Sequence, residues 1–161
     1  MAPIHVGEQA PDFTLPSTAG GETTLSAGLE TGPAAVVFTR GEWCSYCAEQ
    51  LQTFSALDYD LWRNLDLDVV AIGGDALPEL AAMRDRFELS IQLHADTDLE
   101  VSRQYTGIEA SEKHGEIPVT GTFVVDPEGI VQYAQVATNP ADRTYANYVR
   151  HFVNSGFEKP Y

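Results

Sequence analysis

The sequence predicts an α/β protein in which a central mixed β-sheet is covered by helices on both faces. Two observations lead to this prediction. Short runs of β-branched and apolar residues alternate with longer segments of helical spacing, which is the pattern of parallel strands joined by crossover helices. The chain has 161 residues, of which 43% are hydrophobic, enough to bury a sizeable core. We therefore expect residues 1–161 to form a single domain.

The N-terminal part predicts a β-hairpin followed by the first central strand. Two prolines hold residues 6–16 extended, because proline does not fit a helix interior. Gly20-Gly21 is a turn signal, so a short hairpin is expected ahead of the main sheet. Residues 34–39, Ala-Ala-Val-Val-Phe-Thr, then predict a buried strand.

The middle of the chain alternates between helices and strands. The first helix is predicted to run to about residue 63, because apolar residues recur on one face at Cys47, Leu51, Phe54, Leu57 and Leu61. A strand, a helix, a second strand and a short helix follow, at residues 67–74, 75–89, 91–95 and 98–105.

The C-terminal part predicts a hairpin and a closing helix. Residues 122–133 contain a Pro-Glu-Gly turn between two β-favouring runs. We expect Asn139 to cap the last helix and Pro140 to be its first residue, since these residue types favour those positions. The predicted apolar stripe of this helix is Ala141, Tyr145, Tyr148, Val149 and Phe152.

Both cysteines of the chain, Cys44 and Cys47, fall where the first central strand passes into a helix. Free N–H groups and the positive end of the helix dipole meet at such a junction and stabilise a thiolate. Lowering a cysteine pKa from about 8.5 to about 7 requires roughly 2 kcal/mol, which a helix N-terminus nearly supplies. Arg40 is placed to assist and Glu42 to oppose. A disulfide across the first helical turn is sterically reasonable, so the pair can cycle between dithiol and disulfide.

Other interpretations of the cysteine pair stay open. The two thiols can be inert and buried, since free cysteine often packs as a small hydrophobe. A structural zinc site requires four ligands, whereas His94 and His114 are isolated residues without ligand spacing. The disulfide can also act only as a switch in a non-catalytic, redox-responsive binding domain. The position at a strand–helix junction favours redox chemistry over an inert pair. The lack of further ligands disfavours zinc, and the redox-responsive binding domain stays open as an alternative to an enzyme.

Net charge and hydropathy limit the partners. The formal charge is −15, with 24 acidic against 9 basic residues, which argues against nucleic acid and anionic membranes because both bind cationic patches. No apolar run approaches the length of a membrane span, and the N-terminus lacks the pattern of a secretory signal. We expect a cytoplasmic protein, where closely spaced cysteines indicate catalysis or metal binding.

Four segments carry a family resemblance. They are Ala-Pro-Asp-Phe at residues 10–13, Arg-Gly-Glu-Trp-Cys-Ser-Tyr-Cys at 40–47, Asp-Thr-Asp-Leu at 96–99 and Ile-Pro-Val-Thr-Gly-Thr-Phe at 117–123. Together they resemble the thioredoxin fold, and more narrowly the alkyl hydroperoxide reductase/thiol-specific antioxidant family of peroxiredoxin-like proteins. The second segment is similar to the branch with Arg-Gly-x-Trp-Cys-Pro-Tyr-Cys, with Ser45 at the usual proline position.

The resemblance implies a peroxidase that reduces hydroperoxides through a Cys44–Cys47 disulfide, with no other cofactor and an external thioredoxin- or glutaredoxin-like reductant. In the peroxiredoxin motif P-x-x-x-T-x-x-C the last residue attacks peroxide, which places that role on Cys47 and the resolving role on Cys44. Arg40 stands at the motif's proline, and Thr120 stands at the family's later arginine. We expect Arg40 to polarise a peroxide oxygen in place of that arginine.

Thioredoxins use the pair in the opposite order. They attack a disulfide substrate with the first cysteine of Trp-Cys-x-x-Cys, here Cys44, so a protein disulfide oxidoreductase is the alternative that the resemblance implies. Gly121 stands where thioredoxins carry a cis-proline, and Phe38 stands where they carry a buried aspartate. The substrate is therefore left open between a hydroperoxide and a disulfide.

The surroundings of the cysteines complete the predicted site. Trp43 is expected to act as a lid beside the sulfur atoms, and Tyr46 to be exposed. The resemblance implies that the site is also lined by Pro118, Thr120, Gly121 and Thr122. A monomer or a homodimer is expected.

Overall fold

The computed structural model describes residues 3–56 and 64–158. Strands and helices alternate as predicted. In chain order they are β1 (Thr14–Pro16), β2 (Glu22–Thr24), α1 (Leu25–Leu29), β3 (Ala34–Phe38), α2 (Ser45–Ala56), β4 (Asp68–Gly73), α3 (Leu77–Arg86), β5 (Leu93–Ala95), α4 (Glu100–Tyr105), β6 (Ile108–Ser111), β7 (Gly115–Pro118), β8 (Gly121–Val125), β9 (Val131–Val136) and α5 (Ala146–Asn154).

The central sheet is mixed, in the strand order β5-β4-β3-β8-β9. Strand β4 runs parallel to β3 and β5, because helices α2 and α3 carry the chain back between them. Strand β8 runs antiparallel to both β3 and β9. The predicted mixed sheet is thus present, with β3 at its centre and every residue of β3 buried.

Alternating side chains of β3 divide the core into two layers, since successive residues of a strand point to opposite faces. Ala35 and Val37 pack with α2, α3 and α5 on one face. Val36 and Phe38 pack with α1 and α4 on the other face, where Phe38 lies 5.3 Å from the ring centroid of Tyr105. Helices therefore cover both faces, as the sequence predicts. The cysteines belong to the first layer.

Two predicted segments match the structure closely. The N-terminal hairpin is formed by β1 and β2, which pair antiparallel. The helix after the cysteines is present from Ser45 to Ala56. Its predicted continuation to residue 63, with Leu57 and Leu61 on the apolar face, lies outside the described residues.

The predicted start of the last helix is wrong. The helix begins at Ala146, and Asn139 and Pro140 lie in a turn instead. The Asn139 side chain accepts the Ala141 N–H at 3.0 Å, which is the local bond that the sequence signal anticipated, but in a turn rather than a helix. Of the predicted stripe, Ala141 and Tyr145 therefore precede the helix.

Contacts with the preceding strand keep residues 141–145 out of the helix. The Asp142 carbonyl accepts the Gln135 side chain at 3.3 Å, and the Asp142 carboxylate accepts the Thr138 N–H at 3.0 Å. Val149 and Phe152 of the predicted stripe are buried in the helix proper, and Tyr148 packs beside them.

Three elements were not predicted. Helix α1 is a single short stretch after β2, and β6 pairs antiparallel with β7 in a hairpin. The hairpin sequence is Ile-Glu-Ala-Ser-Glu-Lys-His-Gly-Glu-Ile-Pro, whose polar residues lack the alternation that indicates a strand. This hairpin reaches the cysteine site, as described below.

Asp96 anchors α4, and we expect its removal to destabilise the protein. Its carboxylate is 1% exposed and accepts the Ser102 N–H and hydroxyl at 2.8 and 2.7 Å and the Val101 N–H at 3.2 Å. Asp96→Ala leaves these buried donors without a partner, so the free energy of unfolding should fall by about 2 kcal/mol in urea titrations. Asp98→Ala is the control, because Asp98 is exposed and accepts one N–H. This variant should lose less of the free energy of unfolding than Asp96→Ala. Equal losses would contradict this account.

Candidate active site

Cys44 occupies the N-cap of α2. Its carbonyl accepts the Ala48 N–H at 3.1 Å, which is the first bond of the helix, and Ser45 is the first helical residue. Its Sγ accepts the Cys47 N–H at 3.3 Å. This is the bond that an N-cap oxygen would accept from the third helical residue, so the sulfur sits at the positive end of the helix.

Cys47 lies one turn further along α2 and deeper in the protein. It is 0% exposed, against 4% for Cys44. Its Sγ accepts the Arg40 backbone N–H at 3.3 Å. Both cysteines are free thiols.

An arginine that the sequence analysis did not identify also reaches the site. Arg143, from the segment between β9 and α5, places Nη2 at 3.6 Å from the Sγ of Cys44. The same guanidinium donates from Nη1 to the Oε1 of Gln50 at 3.1 Å. The arginine lies 99 positions after Cys44, so no local pattern points to it. For Gln50 there was a weak indication of a buried polar contact, because it is a polar residue three positions after Cys47 on the apolar face of the helix.

The two thiols have opposite tendencies to ionise. The hydrogen bond from the Cys47 thiol, with the Cys47 N–H, Arg143 and Arg40, lowers the pKa of Cys44 to about 5 although burial opposes this. Burial raises the pKa of Cys47, and the hydrogen bond that it gives to Cys44 raises it further. The favoured state is therefore a Cys44 thiolate hydrogen-bonded by a Cys47 thiol.

Arg40 and Trp43 connect the site to the β6–β7 hairpin. The Arg40 guanidinium binds Glu109 of β6 at 3.2 Å and lies 5.2 Å from the Trp43 ring centroid. Trp43 stacks on His114 of the hairpin turn, with ring centroids 3.8 Å apart and planes 5° apart. Glu42, expected to oppose the thiolate, is paired with Arg86 at 3.0 Å.

Two clefts open beside the loop that connects β3 to α2, and Arg40 lines both of them. One has a volume of about 260 Å³ and includes Trp43, His114 and Pro118. The other is smaller, about 120 Å³, and includes Thr120. Trp43 and Pro118 thus line the larger cleft and Thr120 the smaller one, while the lid role of Trp43 stays a prediction.

The remaining predicted residues have different surroundings. Tyr46 is 45% exposed on the first turn of α2. Thr122 is buried and accepts the Gln50 Nε2 at 3.1 Å, which connects it to Arg143 rather than to a sulfur. Gly121 pairs with Phe38, and a Cβ there would approach the Gln135 carbonyl oxygen at 2.8 Å. Gly121 is therefore needed for close strand packing.

Metal ligands do not cluster in the described part of the chain. No group of three or more His, Cys, Asp or Glu side chains within residues 3–56 and 64–158 could hold a metal ion. His94, considered as a ligand above, is instead bonded through Nδ1 to the Ala71 carbonyl at 2.9 Å and through Nε2 to Thr23 at 2.9 Å. Among the helices in those ranges, none has the length and apolarity to cross a membrane.

Comparison with known proteins identifies the family. The sequence model of the AhpC/TSA family matches residues 6–134. The chain belongs to the AhpC/TSA family. It is 31% identical over 155 residues to YkuU of Bacillus subtilis, a protein assigned to the peroxiredoxins, covering 89% of this chain and 84% of that protein. It is 30% identical over 138 residues to a peroxiredoxin of Thermoplasma volcanium, covering 81% of this chain and 64% of that relative.

Solved structures agree with this AhpC/TSA assignment at the level of the fold. The peroxidoxin BcpB of Mycobacterium tuberculosis superposes with a TM-score of 0.80 at 21% identity, covering 93% of this chain and 96% of that chain. A mutant of PrxQ from Xylella fastidiosa superposes with a TM-score of 0.83 at 13% identity, covering 98% and 100%. The predicted thioredoxin-fold class and peroxiredoxin-like family are confirmed, and with them the expectation of a thiol-dependent peroxidase. The narrower Arg-Gly-x-Trp-Cys branch stays a prediction.

Proposed function

We propose that this AhpC/TSA protein reduces hydroperoxides through a dithiol–disulfide cycle in which Cys44 attacks and Cys47 resolves. The observation that supports this order is the capped Cys44 sulfur, which receives the Cys47 N–H and the Arg143 guanidinium. With a pKa of about 5, Cys44 is about 99% thiolate at pH 7, and the thiolate is the nucleophile. The peroxiredoxin motif implies the reverse order, with Cys47 attacking.

The proposed cycle has two steps in the protein. The Cys44 thiolate attacks one oxygen of the hydroperoxide, an S–O bond forms, the O–O bond breaks, and the alkoxide leaves with a proton as an alcohol. The Cys47 sulfur then attacks the Cys44 sulfenic acid, an S–S bond forms, and the hydroxyl leaves as water with the Cys47 proton. Burial raises the pKa of Cys47, so it stays protonated and does not compete with Cys44 for the peroxide, and it becomes the nucleophile only as it gives up its proton to the departing hydroxyl in the second step.

The clefts favour an uncharged substrate. Four carboxylates contribute to the larger cleft: Glu42, Asp75, Glu79 and Glu116. Burial raises the pKa of Asp75, as expected where carboxylates crowd. The four carboxylates outnumber the Arg40 guanidinium in this lining, so an anionic substrate would be disfavoured relative to a neutral hydroperoxide.

The electron donor closes the cycle. We assign it to the class of thioredoxin- or glutaredoxin-like dithiol proteins, whose thiolate would attack the Cys44 sulfur of the disulfide, because Cys44 is the less buried of the two cysteines, and regenerate both thiols. The reaction involves the two sulfur atoms and no other cofactor. A cytoplasmic location, where such reductants keep thiols reduced, and a monomer or homodimer are parts of the same proposal.

Stoichiometric oxidation tests the cycle directly. The reduced protein is mixed with one equivalent of hydrogen peroxide or tert-butyl hydroperoxide. Free thiols are then counted, and peptides are analysed by mass spectrometry. We expect complete loss of both thiols and one intramolecular Cys44–Cys47 disulfide per equivalent. A peroxide-treated protein that keeps both thiols would contradict the proposal.

A disulfide reductase is the second candidate, favoured by the acidity of the first cysteine in Trp-Cys-x-x-Cys. It predicts rapid reduction of insulin disulfides by the reduced protein and slow consumption of hydroperoxide. The proposed function predicts the opposite ranking of the two rates. A protein with neither activity would be a redox-responsive binding domain.

A further inference from the structure

We propose that Gln50 is a positioning residue that holds the Arg143 guanidinium against the Cys44 sulfur, and that Arg143 acts as a catalytic residue on that sulfur. The arginine would then serve from the segment before α5 in place of the family arginine missing at Thr120. This inference rests on the proposed function, because it takes Cys44 as the attacking sulfur.

The Gln50 amide is fully engaged inside the protein. Gln50 is 2% exposed, and its Nε2 donates to the Thr144 carbonyl at 2.8 Å and to the Thr122 hydroxyl at 3.1 Å. Its Oε1 accepts from Arg143 at 3.1 Å. Since a guanidinium can only donate, the amide oxygen has to face Arg143, and the two donor bonds keep it in that orientation.

The guanidinium is fixed at two of its nitrogen atoms before it meets the sulfur. Nε donates to the Pro140 carbonyl at 2.8 Å, and Nη1 donates to Gln50. Because the group is planar and rigid, these two bonds determine where Nη2 lies, at 3.6 Å from the Cys44 Sγ. Removing the Gln50 contact frees the plane to rotate, so the distance to the sulfur should increase.

The segment that carries Arg143 is itself tied to β9 and α2. The Thr144 hydroxyl is bonded to Tyr133 at 2.8 Å and to Gln135 at 3.2 Å. The Ala146 N–H donates to Thr53 of α2 at 3.2 Å. These bonds hold the residues before α5 out of the helix. Arg143 therefore lies in a non-helical segment that approaches the N-terminus of α2, where Cys44 lies.

The guanidinium also has capacity for the substrate. It carries five N–H donors, and within the described residues Nε, one N–H of Nη1 and one of Nη2 have partners. The second N–H of Nη2 has no partner among the described residues, and its nitrogen lies 3.6 Å from the sulfur that would meet the peroxide. Arg143 can therefore stabilise both the thiolate and the negative charge that develops on the departing oxygen.

The test measures the ionisation of Cys44 and needs no peroxide. The reduced protein is alkylated with iodoacetamide between pH 3.5 and 9, and the labelled cysteine is identified by peptide mass spectrometry. Arg143→Met should raise the pKa of Cys44 by about one unit, because a cation beside the thiolate is lost. Gln50→Met, which keeps the side-chain volume, should raise it by part of that amount. The double variant should match Arg143→Met alone, since Gln50 acts through the arginine.

Matched controls separate this role from a general loss of structure. Gln52→Met makes the same replacement at an exposed position of α2, and Arg103→Met removes an exposed arginine paired with Glu116; neither should shift the Cys44 pKa. Circular dichroism and thermal melting monitor folding. If Arg143→Met does not fold, Arg143→Lys keeps the charge without the planar fork, and it should raise the Cys44 pKa by less than one unit.

Two results would overturn the proposal. An unchanged Cys44 pKa in the Arg143 variants would remove the arginine from the site. If Gln50→Met changed the Cys44 pKa equally with and without Arg143, Gln50 would not act through the arginine. Neither result depends on turnover. A protein with the expected pKa shifts but no peroxidase activity would contradict the proposed function and the catalytic role of Arg143, and would leave the positioning of Arg143 by Gln50 standing.

Discussion

Cys44→Ser should reduce the steady-state rate of hydroperoxide reduction by more than about 1,000-fold. The serine hydroxyl stays protonated at neutral pH and does not form a sulfenic acid, so the first step is lost even though Arg143 and the helix N-terminus are unchanged. Cys47→Ser should also stop turnover, but for a different reason: Cys44 can still be oxidised once, and no thiol then resolves it.

The two variants differ in a single turnover. Peroxide consumption is measured with and without a dithiol reductant, and the sulfenic acid is trapped with dimedone and located by mass spectrometry. Cys47→Ser should consume one equivalent of peroxide and carry the adduct on Cys44, whereas Cys44→Ser should consume none. Ser45→Ala, at the exposed position between them, is the control and should turn over normally. An adduct on Cys47 in the Cys44→Ser variant would support the order implied by the peroxiredoxin motif.

The general architecture could be predicted because its signals are local. The short run of apolar residues at 34–38 predicts a buried strand, the apolar face spaced by three and four residues after it predicts a helix, and both are present. Their junction placed both cysteines at a helix N-terminus. The order of the cysteines could not be predicted in this way, because a shift of three residues in the helix start would make Cys47 the cap instead of Cys44, and helix boundaries are not fixed that closely by sequence. The structure begins the helix at Ser45, which makes the cap Cys44.

The rest of the site depends on contacts between distant parts of the chain. Asn139 and Pro140 favour a helix start locally, but the hydrogen bonds that link Gln135 and Gln50 with residues 142–144 hold this segment out of the helix. Tertiary contacts thus override the capping signal. The same contacts place Arg143 beside the sulfur. A helix from Asn139 onward would have carried this arginine in its first turns, so the wrong helix boundary and the missed arginine have one cause.

The pH dependence of stability should report the Cys44 thiolate independently of catalysis. The pKa of this thiol is about 5 in the folded protein, against a reference value of 9.0. Between those values the unfolded chain binds a proton that the native state lacks, so the free energy of unfolding rises with pH by about 1.4 kcal/mol per unit. This contribution is fully present above pH 9 and is lost as the pH falls toward 5. Between pH 6 and 8 the reduced protein should gain roughly 3 kcal/mol relative to Cys44→Ser.

Urea unfolding at several pH values, under a reductant, measures this difference. Other titrating groups act in both proteins and cancel: burial lowers the pKa of His94, for example, which lowers stability in acid for the wild type and the variant alike. The raised pKa of Cys47 opposes the trend only near and above pH 9, where the unfolded thiol ionises and the native one does not.

The size of the slope decides between the two cysteine orders. The slope gives the number of protons that the chain takes up on unfolding. If wild type takes up one proton more than Cys44→Ser across pH 6 to 8, Cys44 is ionised in the native state and Cys47 holds the remaining proton. If the increase of the unfolding free energy with pH disappears in Cys47→Ser but persists in Cys44→Ser, the thiolate is on Cys47. The wild-type disulfide form should show no cysteine-dependent slope at all, because neither sulfur can then bind a proton. Parallel curves for the reduced wild type and Cys44→Ser would mean that the helix N-terminus and Arg143 do not together overcome the cost of burying a charge.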